Sequence, residues 1–214
     1  MKTISKQRIA KEIEKYGFNA SEELCSKISR YIEILLRWNA TISLTTVTDP
    51  LEIVRFHFGE SIFALTSGCV VDGRLADVGS GAGFPGFPLH LANPAIQLQL
   101  IESNARKCVF LKEVARNLDV EKNVVIRQGR IEDLPPYSGP SKLDFVTARA
   151  VGQFKSIVAF SKENLKEGGS IVLWVGQDDA EVIMSSDYAR ELQWRPPIPI
   201  PFSEKRYLIC GVNP

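Results

Sequence analysis

Hydrophobic and polar positions follow two regimes that meet near residue 70. In the first, apolar residues recur at three- and four-residue intervals. Ile9 and Ile13 share one face of residues 5–16, while Lys6, Lys11 and Lys15 stay mostly off it. This predicts a short amphipathic helix closed by Tyr16-Gly17-Phe18. Ser21, followed by Glu23 and Leu24, marks a second helix running to about Trp38, with Leu24, Ile28, Tyr31, Ile32, Leu35 and Leu36 on its apolar face. The stretch TISLTTVTDP is β-branched, ends in Asp49-Pro50 and reads as a loop. A third helix is predicted over 50–65, and SGCVVDG reads as a linker.

From Arg74 the period changes. The short apolar runs LADV, IQLQLIE, VVIRQ, LDFVTARA and SIVLWVG alternate with helical patterns over about 85–91, 105–118 and 153–165. Strands alternating with helices of this length predict an α/β fold with a doubly wound parallel sheet. The tail WRPPIPIPFSEKRYLIC is proline-rich and then β-like, so it is expected to add an antiparallel edge pair. The division is therefore a helical N-terminal extension over residues 1–69 and an α/β domain over 70–214.

Composition narrows the class of protein only slightly. The chain has 214 residues, 44% of them hydrophobic and 24% charged, which suits a normal core. No apolar run reaches the roughly 20 residues of a membrane span, and the N-terminus lacks the apolar core of a signal peptide. Cys25, Cys69, Cys108 and Cys210 are scattered without a CxxC pair, which argues against structural zinc and fits a reducing cytoplasm. His57 and His90 are too few and too separated for a metal site, so no metal is expected. Net charge is +1, and residues 1–69 carry 9 Lys/Arg against 8 Asp/Glu, so any basic surface must be a local patch.

The candidate chemistry lies in LADVGSGAGFPG, residues 75–86, where a strand runs into four glycines before a helix. Such a turn puts backbone N–H groups at the carboxyl edge of the sheet, where open α/β sheets bind ligands. The ending Phe84-Pro85-Gly86 is unlike the Gly-Lys-Ser/Thr of a phosphate loop. Gly81, Gly83 and Gly86 match GxGxxG, and Glu102 lies about twenty residues on, placed to accept ribose hydroxyls. That adenosine half is shared by NAD and S-adenosyl-L-methionine. Asp77, at the end of the first strand, discriminates: a carboxylate there repels a pyrophosphate and favours a sulfonium and an amino group. The pair Asp77 and Glu102 therefore points to S-adenosylmethionine.

The segments DVGSGAGFPGFPL, IESNARKCVFLKEVARNL, GRIEDL and TARA, with LLRWNATISLTTVTDPLEIVRFHFGES upstream, closely resemble the RsmG (GidB, glucose-inhibited division protein B) family. The resemblance implies a Rossmann-like class I S-adenosylmethionine-dependent methyltransferase that makes N7-methylguanosine in 16S ribosomal RNA, acting on that RNA or the small ribosomal subunit. It further implies that Gly79 and Phe84 line the cofactor with Gly81 nearby, and that Glu102 holds the ribose. Ile131 and Glu132 would lie along the adenine, and Arg149 beside the methionine end and the incoming guanine. The chain departs from the family pattern at Gly59-Glu60, where Leu-Asp is usual, and at Val175-Gly176, where Lys-Gly is frequent.

Guanine N7 already carries an in-plane lone pair, so this reaction needs positioning rather than a general base. Arg149 would act as the catalytic residue by donating to guanine O6, the competing reading being an ion pair with Glu132 or Asp133. Candidate phosphate contacts are Lys2, Lys6, Arg8, Lys11, Lys15, Lys205 and Arg206. Phe56, Phe58 and His57 suit packing better than base contact, and Trp38 is expected to plug the helical extension against the sheet. Competing functions are a methyltransferase for another substrate, a non-catalytic ribosome- or RNA-binding protein on the same fold, and more distantly an NAD-dependent oxidoreductase.

Overall fold

In the computed structural model, residues 4–149 and 152–214 are described. The helical extension comprises α1 (Lys6–Glu14), α2 (Glu22–Asn39), α3 (Pro50–Ile53) and α4 (Glu60–Thr66). Local chemistry sets their starts: the side chains of Ser5, Ser21 and Asp49 each accept a backbone N–H from the first turn of α1, α2 and α3. Between α3 and α4 the helix predicted over 50–65 passes through a π-helical segment, Val54–Gly59. Hydrophobic periodicity cannot reveal a one-residue widening of this kind, because the chain stays helical on both sides. The widened segment buries Val54, Phe58 and Gly59, and a β-carbon on Gly59 would stand 2.2 Å from the Tyr16 ring.

Asn39 ties the loop 41–48 back to the end of α2. Asn39 Oδ1 accepts from the N–H groups of Leu44 and Thr45, and its Nδ2 donates to the Thr45 carbonyl.

The α/β part runs β1 (Gly73–Val78), α5 (Gly86–Ala92), β2 (Ile96–Glu102), α6 (Ala105–Asn117), β3 (Val124–Gln128), β4 (Leu143–Arg149), α7 (Phe154–Asn164), β5 (Leu165–Gly176) and α8 (Gln177–Ser185). It closes with β6 (Gln193–Trp194), β7 (Ile198–Pro199) and β8 (Arg206–Val212). Sheet order is β3-β2-β1-β4-β5-β8-β6, with β7 also on β8. The first five strands are parallel, and β8 is antiparallel to β5, as the tail's pattern predicts. The order in which the chain adds strands reverses between β1 and β4, and at such a switch point a crevice opens at the carboxyl ends. Helix α8 is absent from the sequence pattern because only Ala180 and Ile183 of it are buried.

The two faces of the sheet pack differently. One carries α7 and α8 on residues such as Val78, Val146 and Leu173. The other carries α5 and α6 and also the helical extension, so that Ile9, Ile28, Tyr31 and Phe58 share one core with Leu75, Leu98 and Phe110. Trp38 docks on α6 rather than on the sheet: its ring meets Phe110 at 6.0 Å and its Nε1 donates to Glu113 at 3.0 Å.

Candidate cofactor and substrate site

Three glycines of the turn between β1 and α5 adopt left-handed φ: Gly79 (68°), Gly81 (55°) and Gly83 (83°). The turn is laced to the end of β2. The N–H groups of Gly79 and Ser80 donate to the Ile101 carbonyl, and Gly81 N–H donates to Glu102 Oε2 at 2.9 Å. Asn104 N–H donates to the other Glu102 oxygen at 2.7 Å, so both oxygens are fixed while lone pairs remain for a ligand's hydroxyls. From the opposite side, Tyr31 of α2 donates its hydroxyl to the Ala82 carbonyl.

Asp77 sits beneath this turn, fully buried. Its carboxyl accepts from Thr147 Oγ1 at 2.9 Å and Gly86 N–H at 3.3 Å, tying β4 and the start of α5 to β1. Burial pushes its pKa up to about 7, against hydrogen bonds from Thr147, Gly86 and Ser80. The unfolded carboxyl titrates near 4. The folded chain thus holds an extra proton between those values. The stability this contributes is full below about pH 4 and is lost as pH rises through about 7. Asp77→Asn keeps the shape and cannot ionise. Its melting temperature should gain on that of the natural protein between about pH 5 and about pH 8. Thermal melts that run parallel across that window would refute the assignment.

A cavity of about 300 Å³ opens beside the turn, lined among others by Gly79, Ile101, Ser103, Ile131, Glu132 and Ile157. It brings together Gly79, Ile131 and Glu132 of the sequence-derived set. Glu102 is flanked by the lining residues Ile101 and Ser103, whereas Asp77, Gly81, Phe84 and Arg149 do not line it. Phe84 instead lies under the π-helical segment. It stacks on His57 at 4.6 Å and 19° and packs against Tyr31 and Phe58.

Arg149 stands at the strand switch. It follows Ala148, whose register partner is Val78, the residue before Gly79. Its partner is Glu60, to which Nη2 donates at 2.9 Å, and not Glu132 or Asp133. Glu132 lies on the short turn Ile131–Asp133 and pairs with Arg130 at 3.5 Å. The other Glu60 oxygen takes Arg206 Nη2 at 2.7 Å, and Trp174 Nε1 donates to the Glu60 carbonyl at 2.8 Å. Burial drives Glu60 up, opposed by Arg149 and Arg206, and drives Arg149 down, opposed by Glu60. Such a triad is costly unless every charge is matched.

Among the described residues, two buried side-chain polar atoms have no partner: Arg149 Nη1 and His57 Nδ1. The His57 Nε2 is bonded to Thr45 Oγ1 at 2.9 Å. Burial, helped by the charges of Arg149 and Arg206, lowers the His57 pKa to about 3, so the ring is neutral near pH 7. Glu60 escaped the sequence reading as a site residue because it lies 89 positions from Arg149. Its only signal was its place in the FHFGES segment.

The basic candidates divide. Lys2 lies outside the described residues. Lys6 pairs with Glu22 at 3.3 Å and Lys15 with Glu12 at 2.9 Å. Arg206 belongs to the Glu60 cluster, while Arg8, Lys11 and Lys205 are exposed. Val175 is buried in the layer shared with α8.

The family described as rRNA small subunit methyltransferase G, GidB, matches residues 24–205. The chain belongs to the GidB family. The ribosomal RNA small subunit methyltransferase G of Xanthomonas axonopodis pv. citri is 37% identical over 147 residues, covering 69% of this chain and 66% of that protein. The namesake from Nitrosomonas europaea is 38% identical over 147 residues, covering 69% and 65%. The chain thus spans just under two thirds of the length of these GidB relatives. Among solved structures, the ribosomal protein L11 methylase of Lactobacillus delbrueckii subsp. bulgaricus superposes with TM-score 0.60 at 13% identity, covering 75% of this chain and 80% of that one. A SAM-dependent methyltransferase from Aquifex aeolicus gives 0.57 at 12%, covering 77% and 98%. The fold of this GidB chain is accordingly the Rossmann-like sheet of S-adenosylmethionine-dependent methyltransferases. Among the described residues no cluster of His, Cys, Asp and Glu could hold a metal, and no helix is long and apolar enough to cross a membrane.

Proposed function

We propose that this GidB protein transfers the methyl group of S-adenosylmethionine to N7 of a guanine in 16S ribosomal RNA. The observation that carries the reading is Arg149, held at the strand switch by Glu60, with its buried Nη1 and the buried Nδ1 of His57 both lacking a partner among the described residues. Buried polar groups are ordinarily satisfied, so two such orphans mark where ligand atoms belong. The cofactor fits the neighbouring cavity. Gly79 admits close approach, Ile131 and Ile157 offer apolar walls to an adenine, and Glu102 keeps lone pairs for ribose hydroxyls. Bound there, S-adenosylmethionine supplies an electrophilic methyl group on a sulfonium.

The chain's own part is to orient the base. Arg149 Nη1 donates toward guanine O6, fixing the ring so that the N7 lone pair faces the methyl group. No proton has to leave N7. His57, lowered to about 3, is a poor proton acceptor near neutrality, and the reaction asks for none. The base must be unstacked to reach Arg149. The four cysteines are free and buried, which suits the reducing cytoplasm in which ribosomes assemble.

The test is incubation of the purified protein with tritiated S-adenosylmethionine and either small subunits or free 16S rRNA, followed by borohydride–aniline cleavage at N7-methylguanosine. Label and cleavage at one guanine are expected. Label elsewhere in the RNA, or tighter binding of NAD than of S-adenosylhomocysteine in calorimetry, overturns the reading.

A further inference from the structure

Beyond Arg149 and its partner Glu60, the molecule carries a surface that the transfer reaction does not use. Phe202, in the turn before β8, is 71% exposed and adopts a left-handed φ of 59°, a conformation that residues with a β-carbon seldom take. Its ring meets Tyr16 edge-on at 5.8 Å, and Lys15 Nζ stands 6.0 Å from its centroid. A cavity of about 230 Å³ lies against it, lined by Glu12, Lys15, Tyr16, Arg55, Phe56 and Phe202. Arg206 covers the Phe56 ring at 5.1 Å and reaches Glu60, the partner of Arg149. Phe202, Tyr16 and Phe56 thus share one cavity with Lys15 and Arg55, and Arg206 links it through Glu60 to Arg149.

The charges are layered by depth. The carboxylates Glu12 and Glu60 are 8% and 1% exposed, whereas Lys15, Arg55 and Arg206 are 35%, 41% and 41% exposed. In these ion pairs the carboxylates lie beneath and their cations on top, so Lys15, Arg55 and Arg206 are the outward-facing partners. Glu12 is held ionised there, its pKa lowered chiefly by the hydrogen bond from Arg55.

We propose that this surface is a stacking platform for single-stranded RNA, on which Phe202 stacks a base flanking the target guanine while Lys15 and Arg55 contact the adjoining phosphates. An exposed ring framed by cations matches the way single strands are held: aromatic faces take bases of any sequence and a basic track takes the backbone. The proposal rests on the proposed RNA substrate and adds how the strand is gripped outside the pocket.

The test compares the full-length protein with Phe202→Ala and Phe202→Tyr. Binding of a short fluorescent single-stranded RNA copied from around the methylated guanine is followed by anisotropy, with S-adenosylhomocysteine affinity and the melting temperature as controls. Phe202→Ala should weaken RNA binding about ten-fold or more, Phe202→Tyr should largely keep it, and both controls should stay unchanged. Lys15→Gln, which leaves Arg55 on the buried Glu12, should flatten the dependence of log Kd on log salt by about 0.7 for the phosphate that is no longer neutralised. RNA affinity of Phe202→Ala equal to that of the natural protein overturns the platform, even where methylation of 16S rRNA proceeds. So does concentration-dependent self-association that Phe202→Ala abolishes without altering RNA affinity. If the natural protein methylates no 16S rRNA yet loses RNA affinity on Phe202→Ala, the substrate reading fails and the platform stands.

Discussion

Arg149→Ala is expected to lower kcat/KM for rRNA methylation by about a hundred-fold. A guanidinium contact with guanine contributes roughly 1–3 kcal/mol of recognition, and a small misplacement of the reacting base costs further rate. The variant should still fold, because Glu60 keeps Arg206 on its other oxygen and is not left as a lone buried charge. Circular dichroism melts establish that point separately. Arg149→Lys is not expected to restore the rate. An ammonium can pair with Glu60 but has no second amino group to offer beyond it, which is the part Nη1 plays. S-adenosylhomocysteine affinity should move far less than the methylation rate. Turnover within a factor of a few of the natural protein would reduce Arg149 to a strut between β4 and α4.

The largest effect on stability is expected from Gly83→Ala. Gly83 has φ 83°, and a β-carbon there would lie 2.5 Å from both Phe87 Cδ2 and Tyr31 Oη. The backbone conformation costs about 1 kcal/mol for a residue with a side chain. Overpacking a rigid aromatic nest adds roughly 1–3 kcal/mol. Together they should lower the melting temperature by roughly 10 °C for a chain of this size. Gly68→Ala separates the two contributions, since Gly68 has φ 72° and a β-carbon on it would meet nothing within 4 Å. It should show the backbone cost alone. Equal melting temperatures for the two variants would mean that the nest yields and the crowding carries no penalty.

The two periods of the sequence translate well into structure because each reports burial on one face. Ile9 and Ile13, or the alternation of β2, are buried wherever the pattern places them on the inner side. What escaped were features that depend on partners distant along the chain. The π-helical widening at Val54–Gly59 leaves no periodic trace, and it is this segment that carries His57 and leads into Glu60. The glycine turn was legible because glycine at left-handed φ is a local requirement. The environment of Asp77 was not: its acid type was visible, but its enclosure by Thr147 and Gly86 depends on a strand 70 residues away. For the same reason the pairing of Arg149 with Glu60 could not be found among its neighbours in sequence.

Tyr31 has a consequence for anyone who would rearrange the protein. It sits on α2, outside the α/β sheet, yet its hydroxyl holds the Ala82 carbonyl and its ring is walled by Phe58, Phe84, Phe87 and Phe110. The extension is thus one jaw of the glycine turn. A chimera that borrows another protein's RNA-binding helices by joining at residues 67–72 would inherit a turn with an empty aromatic socket. Successful grafts will have to transplant α2 together with the turn it braces, or leave both in place and exchange only surface side chains.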